Sequence, residues 1–143
     1  MAANSKMTIA AHALAWIGLN ERMGGEWATS EQIANSVNTN PVVIRRLLGE
    51  LRAAGLVEAR RGAGAGWRLT RPTESIDLAA VYDAVEGGPL FALHSGEPNQ
   101  KCPVGHGIKS ALGPVYQGAE GALRAALAGT SVADVLRESI AAG

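Results

Sequence analysis

The run from residue 40 to residue 69 constrains the fold most strongly, because a capped helix is followed there by a glycine-rich turn. Asn40 is a favourable N-cap, and Pro41 suits the first helical position, where its missing N–H would have no partner. Gly55 can adopt the left-handed conformation that ends a helix. Apolar residues recur at the spacing of one buried helical face: Ile44, Leu47, Leu48 and Leu51. The pattern predicts a helix over 41–54.

The segment after this helix is typical of a β-hairpin, with strand-like stretches over 56–60 and 66–69. Glycine occupies alternate positions there: Gly62, Gly64 and Gly66. These glycines would let a hairpin tip approach a sugar-phosphate backbone closely and adopt the angles of a tight turn. Arg60 and Arg61 supply charge for phosphates or a narrow minor groove. Because successive strand residues point to opposite faces, we expect one of them to reach DNA, and Arg61 is nearest the tip.

Two further helices are predicted upstream. Residues 5–22 have helical periodicity, and Thr29 with Gln32 forms a capping-box pattern that predicts a short helix over 30–36. The order helix, short helix, capped helix, hairpin is that of a winged helix-turn-helix, whose capped helix enters the major groove and whose hairpin is the wing. The predicted fold class is therefore mainly α with a small β-hairpin.

Charge is distributed unevenly along a chain whose formal net charge is zero. Residues 1–71 contain nine Lys/Arg against five Asp/Glu, whereas residues 72–143 contain four against eight. This asymmetry predicts a first half that binds a polyanion and a second half with another task.

The candidate DNA contacts lie at the start of the capped helix and in the wing. Arg45, Arg46 and Val42 project opposite the buried face, and Thr39 with Asn40 lies where helix starts contact phosphates. The full predicted set of double-stranded DNA contacts is Thr39, Asn40, Val42, Arg45, Arg46, Arg60, Arg61, Gly62 and Gly64.

The sequence of the second half predicts a loop and a dimerisation helix. Asp77 can cap a helix that Gly87 ends, residues 90–104 have the composition of a loop, and a last helix is expected over 132–141 after a Thr130/Ser131 cap. Between them runs a heptad-like stripe, in which Pro114 would start or kink the helix. The stripe, with the leucine beside it, is the predicted dimer interface: Ile108, Leu112, Val115, Ala119, Ala122, Leu123 and Ala126. The predicted domains are the DNA-binding domain 1–72, the sensor loop region 73–104 and the dimerisation region 105–143.

Cys102 is the only cysteine, which excludes an internal disulfide and any site with two cysteine ligands from one chain. A thiol in a loop is a candidate redox sensor, or an ordinary small residue beside a proline. His94, Cys102 and His106, with His12, are an alternative metal set, but such a set is weak without a fourth ligand, so no metal site is predicted.

The chain resembles the Rrf2 family of bacterial winged-helix transcription regulators. The resemblance rests on SK near the start, on LRAAGLVEARRGAGAGWRL and on RPTESIDLAAVYDAVEG, and is strongest over residues 5–88. It implies a homodimer that binds a near-palindromic operator, with long helices crossing at the dimer interface. The family's wing arginine falls on Arg61, and its base-reading positions fall on Arg45 and Arg46.

Two departures from the family follow. The best-understood members carry Glu and Gln at the base-reading positions, so their operator sequence does not carry over to this chain. Arginine favours guanine, so we expect a G-containing half-site. Members that bind an iron–sulphur cluster carry three cysteines in the loop before the long helix, and here only Cys102 is present. A three-cysteine cluster is therefore excluded by ligand count, and no cofactor is predicted.

Other functions leave weaker patterns. A protein-interaction module on a winged-helix scaffold is the main alternative, and a small apolar effector is a further one. No nucleophile–base pair or paired carboxylates point to an enzyme, and the glycine turn lacks the Gly-Lys-Ser/Thr ending of a phosphate loop. Neither a signal peptide nor an apolar run of roughly 18 residues is present, so a cytoplasmic location without a membrane partner is expected.

Overall fold

The protein is described by a computed structural model over residues 4–143, so the first three residues of the predicted domain 1–72 lie outside the described residues. Residues 4–143 contain six α-helices and one two-stranded antiparallel sheet. In chain order the elements are α1 (Lys6–Arg22), α2 (Ser30–Val37), α3 (Pro41–Ala53), β1 (Val57–Arg60), β2 (Gly66–Leu69), α4 (Leu78–Val85), α5 (Pro103–Ala128) and α6 (Val132–Ala142). This order confirms the predicted fold class, a winged helix-turn-helix followed by a long helix.

Side-chain caps begin the helices at the predicted positions. Thr29 Oγ1 accepts from the backbone N–H of Gln32 at 3.0 Å, and Gln32 Oε1 accepts from the N–H of Thr29 at 2.9 Å. Ser131 forms a second capping box at α6 with Asp134, while Asn40 and Asp77 cap α3 and α4 by accepting one backbone N–H each. Each cap satisfies a donor that the helix itself leaves free, which contributes about 1 kcal/mol.

The first compact unit comprises residues 4–87 together with 128–143. Its centre is α1, which packs against α2, α3, α4, α6 and β2. The largest fully buried side chains come from nearly every element of this unit: Leu14, Ile17, Ile33, Ile44, Leu48, Leu51, Leu56, Val57, Ile76, Val81 and Val132. Each such side chain contributes roughly 1.5–3 kcal/mol by leaving water, so the orientation of α3 is fixed by its apolar face.

The second compact unit, residues 88–127, consists of an irregular segment and most of α5. The helix begins at Pro103, because a proline suits the first helical position, and it continues through Pro114. A start at Pro114 is therefore wrong, although a proline inside a helix removes one backbone hydrogen bond. The loop predicted over 90–104 ends at residue 102.

The two units do not coincide with the domain boundaries predicted from the sequence, because α4 and α6 belong with the winged helix. Two backbone hydrogen bonds join the segments before these helices: Leu78 N–H to Thr130 O at 2.9 Å, and Val132 N–H to Ile76 O at 2.8 Å. Val132 is fully buried in the same core. Within residues 4–143, no helix combines the length and apolarity needed to cross a bilayer.

Candidate nucleic-acid interface

The third helix is held by its apolar face and presents a polar face to solvent. Asn40 Oδ1 accepts from Val42 N–H at 2.8 Å, which fixes the start of the helix. The four predicted core positions are buried as expected, with Leu47 the most exposed of them at 4%. Opposite them, Val42, Arg45 and Arg46 are exposed, as the helical spacing predicted. The exposed start of α3 is therefore available to a ligand.

The turn between α2 and α3 depends on a left-handed residue. Asn38 has φ +65°, a conformation that asparagine tolerates better than most side chains. Its N–H and that of Thr39 both donate to Ala34 O, at 2.7 and 3.0 Å, which closes the end of α2. Thr39 is half-buried in this turn, and Asn40 is exposed beside it. Both therefore lie at the start of α3, where they were predicted.

The two arginines at the start of α3 differ in their surroundings. Arg45 Nη2 donates to Glu31 Oε1 of α2 at 2.5 Å. Arg46 is exposed and has no hydrogen bond or ion pair with any residue of 4–143. Arg45 is thus held by the neighbouring helix, whereas Arg46 can turn freely toward a ligand.

The wing is an antiparallel hairpin whose turn requires glycine. Val57 pairs with Leu69, and Arg60 pairs with Gly66 at the end of the ladder. Gly62 and Gly64 have φ of +83° and +73°, which L side chains rarely adopt. Both are exposed, so the two predicted turn glycines lie at the wing tip.

Gly66 corrects one part of the sequence interpretation, because it lies within β2 and is buried rather than at the tip. A Cβ atom there would stand 2.7 Å from Ala28 O and 2.8 Å from Trp27 Cβ. Glycine is needed at this position for the approach of the segment before α2, and not for the approach of DNA.

The adjacent wing arginines point to different neighbours. The Cζ atom of Arg60 lies 5.9 Å from the centre of the Trp27 ring, within the range of a cation–π contact. Arg61 is exposed and makes no hydrogen bond or ion pair with the described part of the chain. This arrangement favours Arg61 over Arg60 as the arginine presented at the tip.

A cleft of about 550 Å³ separates the wing from α2 and α3. Four arginines line it: Arg45, Arg52, Arg60 and Arg61. Arg52 was absent from the predicted set, although its position seven residues after Arg45 places both on one face of α3. The fold thus gathers positive charge from two separate parts of the sequence, α3 and the wing, on one concave surface.

The predicted dimer stripe lies on α5 and is described within its own unit. None of the residues of α5 is buried, and Val115 is 62% exposed. Ala122 and Ala126 are exposed, while the other predicted positions are half-buried. Nearby, the Phe91 and Tyr116 rings are in contact, with centroids 4.9 Å apart. The stripe is therefore an apolar helix face that is partly exposed in the described chain.

Known proteins share this architecture. Residues 3–138 match the sequence model of Rrf2, described as an iron-dependent transcriptional regulator. The chain belongs to the Rrf2 family. YwnA of Bacillus subtilis, whose name describes an HTH-type transcriptional regulator, is 40% identical over 134 residues, covering 93% of this chain and 96% of YwnA.

Two further similar proteins are also named as a transcriptional regulator or a DNA-binding protein. IscR of Cereibacter sphaeroides, also named an HTH-type transcriptional regulator, is 28% identical over 98% of this chain and 90% of its own. A solved structure named as a DNA-binding protein is 35% identical, with a TM-score of 0.71, covering 92% of this chain and 99% of that one. This Rrf2 chain is accordingly a DNA-binding transcription regulator of the winged helix-turn-helix type.

The family description raises the question of iron, and the donor set does not fit a cluster held by three thiolates. Cys102 is the only cysteine, and His106 Nδ1 is hydrogen-bonded to Gln100 Oε1 at 3.1 Å. His12 Nε2 is engaged by Ser36 Oγ at 2.9 Å. Within residues 4–143, no three His, Cys, Asp or Glu side chains are grouped as metal ligands would be.

Cys102 occupies the residue before the first turn of α5. Its carbonyl accepts from His106 N–H at 2.8 Å, the first backbone bond of the helix. The backbone N–H groups of Gly105 and, to a lesser degree, Val104 lower the pKa of the thiol, because they hydrogen-bond its sulfur. Such surroundings favour the thiolate, the reactive form of cysteine.

Proposed function

We propose that this Rrf2 protein is a homodimeric transcriptional repressor that binds a near-palindromic operator. In this proposal α3 enters the major groove, and the wing contacts the adjacent backbone or minor groove. The protein acts by binding and not by catalysis. Repression is the simplest outcome, because blocking a promoter requires no further contact surface.

The arginine-lined cleft carries this proposal. Arg45, Arg52 and Arg61 line one concave surface, and Arg46 is exposed on α3 close by. Glu31 offsets part of this charge through Arg45, and a bound polyanion would offset the repulsion among the remaining arginines. A duplex brings regularly spaced phosphates and releases counterions when it binds, so a strong dependence of affinity on salt is expected.

The exposed start of α3 supports sequence reading as well as phosphate binding. Arg46, which has no partner among the described residues, can donate two hydrogen bonds to guanine. Val42 is 54% exposed, and its methyl groups suit the methyl group of thymine. Half-sites with guanine and thymine near the α3 contact follow from this pair.

The stripe of α5 supports a homodimer. None of its residues is fully buried and Val115 is 62% exposed, so a partner helix could cover this apolar face, and its small residues allow close approach of a second helix. Two-fold symmetry of the protein then requires two inverted half-sites in the operator.

Regulation through an iron cluster on three cysteines of one chain is not part of this proposal, because only one cysteine is present. Cys102 is the candidate redox-sensing residue, since its thiol lies at a helix start that lowers its pKa.

The test compares the wild type with Arg61→Ala on an operator selected from random-sequence duplexes and on unselected DNA. Affinities are measured across a salt series. We expect Arg61→Ala to weaken operator binding and to reduce the slope of log affinity against log salt by about one. Arg22→Ala, at the end of α1 and outside the cleft, is the control that removes an equal charge.

Wild-type protein without salt-sensitive DNA binding would contradict the proposal. The alternative, a protein-interaction module on the same scaffold, predicts that result together with no effect of Arg61→Ala.

A further inference from the structure

The wing sheet has two chemically different faces. Strand alternation places apolar side chains on the inner face: Val57, Ala59, Trp67 and Leu69. The outer face carries the remaining strand residues: Glu58, Arg60, Gly66 and Arg68. Three of these four have long charged side chains, and the fourth has none. The outer face therefore has a gap at Gly66, between its charged neighbours.

Trp27 occupies this gap. A Cβ atom at Gly66 would stand 2.8 Å from Trp27 Cβ, which is closer than real Cβ atoms approach. The space of the missing Gly66 side chain is thus filled by the Cβ and backbone of Trp27 and the carbonyl oxygen of Ala28, from the segment before α2.

Both wing strands send a cation to this indole. The Cζ atom of Arg68 lies 4.4 Å from the Trp27 ring centre, and that of Arg60 lies 5.9 Å away. Arg68 is also hydrogen-bonded to Glu58, its cross-strand partner. The negative face of an indole attracts both guanidinium groups, so the ring holds the outer side chains of β1 and β2 together.

The backbone of Ala28, the residue after Trp27, is hydrogen-bonded to strand β2. Ala28 and Trp67 exchange two hydrogen bonds, N–H to O, at 2.9 and 2.7 Å. Trp67 Nε1 donates to Ser30 Oγ at 3.1 Å, and Ser30 is the buried first residue of α2. The wing is therefore bonded to the start of α2, and α2 packs against α3. These contacts fix the position of the wing relative to α3.

We propose that Trp27 is a positioning residue for DNA binding, which fixes the angle of the wing so that Arg61 reaches the duplex. The inference rests on the proposed function. The Arg60 side chain lies toward the Trp27 ring, while Arg61, the residue after the end of β1, lines the cleft between the wing and α3. Trp27 itself makes no contact with DNA.

A double-mutant cycle tests this role. Operator affinity is measured for wild type, Trp27→Ala, Arg61→Ala and the double variant. We expect Trp27→Ala to weaken binding about tenfold, and to lower the salt slope as Arg61→Ala does. The double variant should bind no more weakly than Arg61→Ala. Once the Arg61 side chain is removed, a change in the angle of the wing has no Arg61 contact with DNA to weaken.

A second measurement separates positioning from folding. Hydrogen–deuterium exchange of the DNA-free protein should rise over residues 60–67 in Trp27→Ala and stay unchanged over α3. Trp27→Phe keeps an aromatic face and should restore most of the affinity, whereas Trp27→Leu should not. Met23→Ala, which removes a 77%-exposed side chain from the same connection, is the control.

The possible results are distinct. A wild type that binds the operator, with costs of Trp27→Ala and Arg61→Ala that multiply in the double variant, overturns the inference and leaves the proposed function standing. Unchanged affinity in Trp27→Ala does the same. A wild type without salt-sensitive binding overturns the proposed function and this inference with it.

Discussion

Arg45 Nη2 donates a hydrogen bond to Oε1 of Glu31 at 2.5 Å, and this contact joins α3 to α2 across the helix-turn-helix. Both side chains are largely solvent-exposed, so the pair contributes little to the stability of the fold. Its consequence is orientation, because one guanidinium nitrogen is engaged while the others stay free. A guanidinium held in this way loses less conformational freedom when it meets a base.

Glu31→Gln is expected to change specificity and non-specific affinity in opposite directions. Loss of a carboxylate beside the arginine cluster removes a repulsion for phosphates, so binding to random duplex DNA should tighten. Loss of the ion pair frees Arg45, so the ratio of operator to random affinity should fall about tenfold. The measurement is that ratio at one salt concentration.

Glu138→Gln in α6 is the matched control, since it removes the same charge away from the cleft. If Glu31→Gln tightened binding to operator and random DNA by one common factor, Arg45 would not depend on Glu31 for its orientation.

The same glycine-to-alanine change should have opposite effects at two positions. Gly66→Ala puts a Cβ atom 2.7 Å from the Ala28 carbonyl oxygen. Because the backbone of Ala28 cannot move aside easily, we expect a loss of about 1–3 kcal/mol in unfolding free energy. Gly49→Ala, on the exposed face of α3, meets nothing within 4 Å and should stabilise by about 0.5–1 kcal/mol. Denaturant unfolding measures both, and equal effects would contradict the strand contact at Gly66.

Local patterns predict the helices well, because caps and apolar spacing act within a few residues. The Thr29 capping box, the Asn40 cap and the buried face of α3 are all as the sequence indicated. The outward direction of Arg45 and Arg46 follows from the same helical geometry. These features need no knowledge of the rest of the chain.

Contacts between distant segments were not predictable in this way. Nothing in the turn signals that Gly66 packs on Trp27 and Ala28, because a glycine at a wing tip and a glycine packed against another segment look alike in sequence. The place of α6 beside α1 depends on Val132 and on bonds to the segment before α4. Such features are decided by tertiary packing, which overrides local preference.

Alkylation of Cys102 should proceed at lower pH than that of an ordinary thiol. Because the thiol pKa is lowered in the folded protein, the thiolate persists to lower pH, and the rate of reaction with iodoacetamide should reach its midpoint below that of free cysteine. The same chain in denaturant is the control, since the helix start is then lost. Coincident midpoints in the two states would contradict a thiolate held by the N–H groups of Gly105 and Val104.

Val115→Glu should break the proposed dimer without unfolding the chain. Val115 is 62% exposed in the described chain, so a charge there costs the monomer little. In a dimer that covers the stripe, the charge would be buried without a partner, which costs about 3 kcal/mol and raises the dimer dissociation constant about a hundredfold. Sedimentation equilibrium over a range of protein concentrations measures this constant.

Gln117→Glu places the same charge on an exposed position of α5 outside the stripe, and it should leave the dimer intact. Because a near-palindromic operator is bound by two linked protomers, Val115→Glu should also weaken operator binding, while circular dichroism reports unchanged helix content. A Val115→Glu protein that stays dimeric as Gln117→Glu does would place the dimer interface away from this stripe. A wild type that is monomeric at every concentration would contradict the homodimer itself.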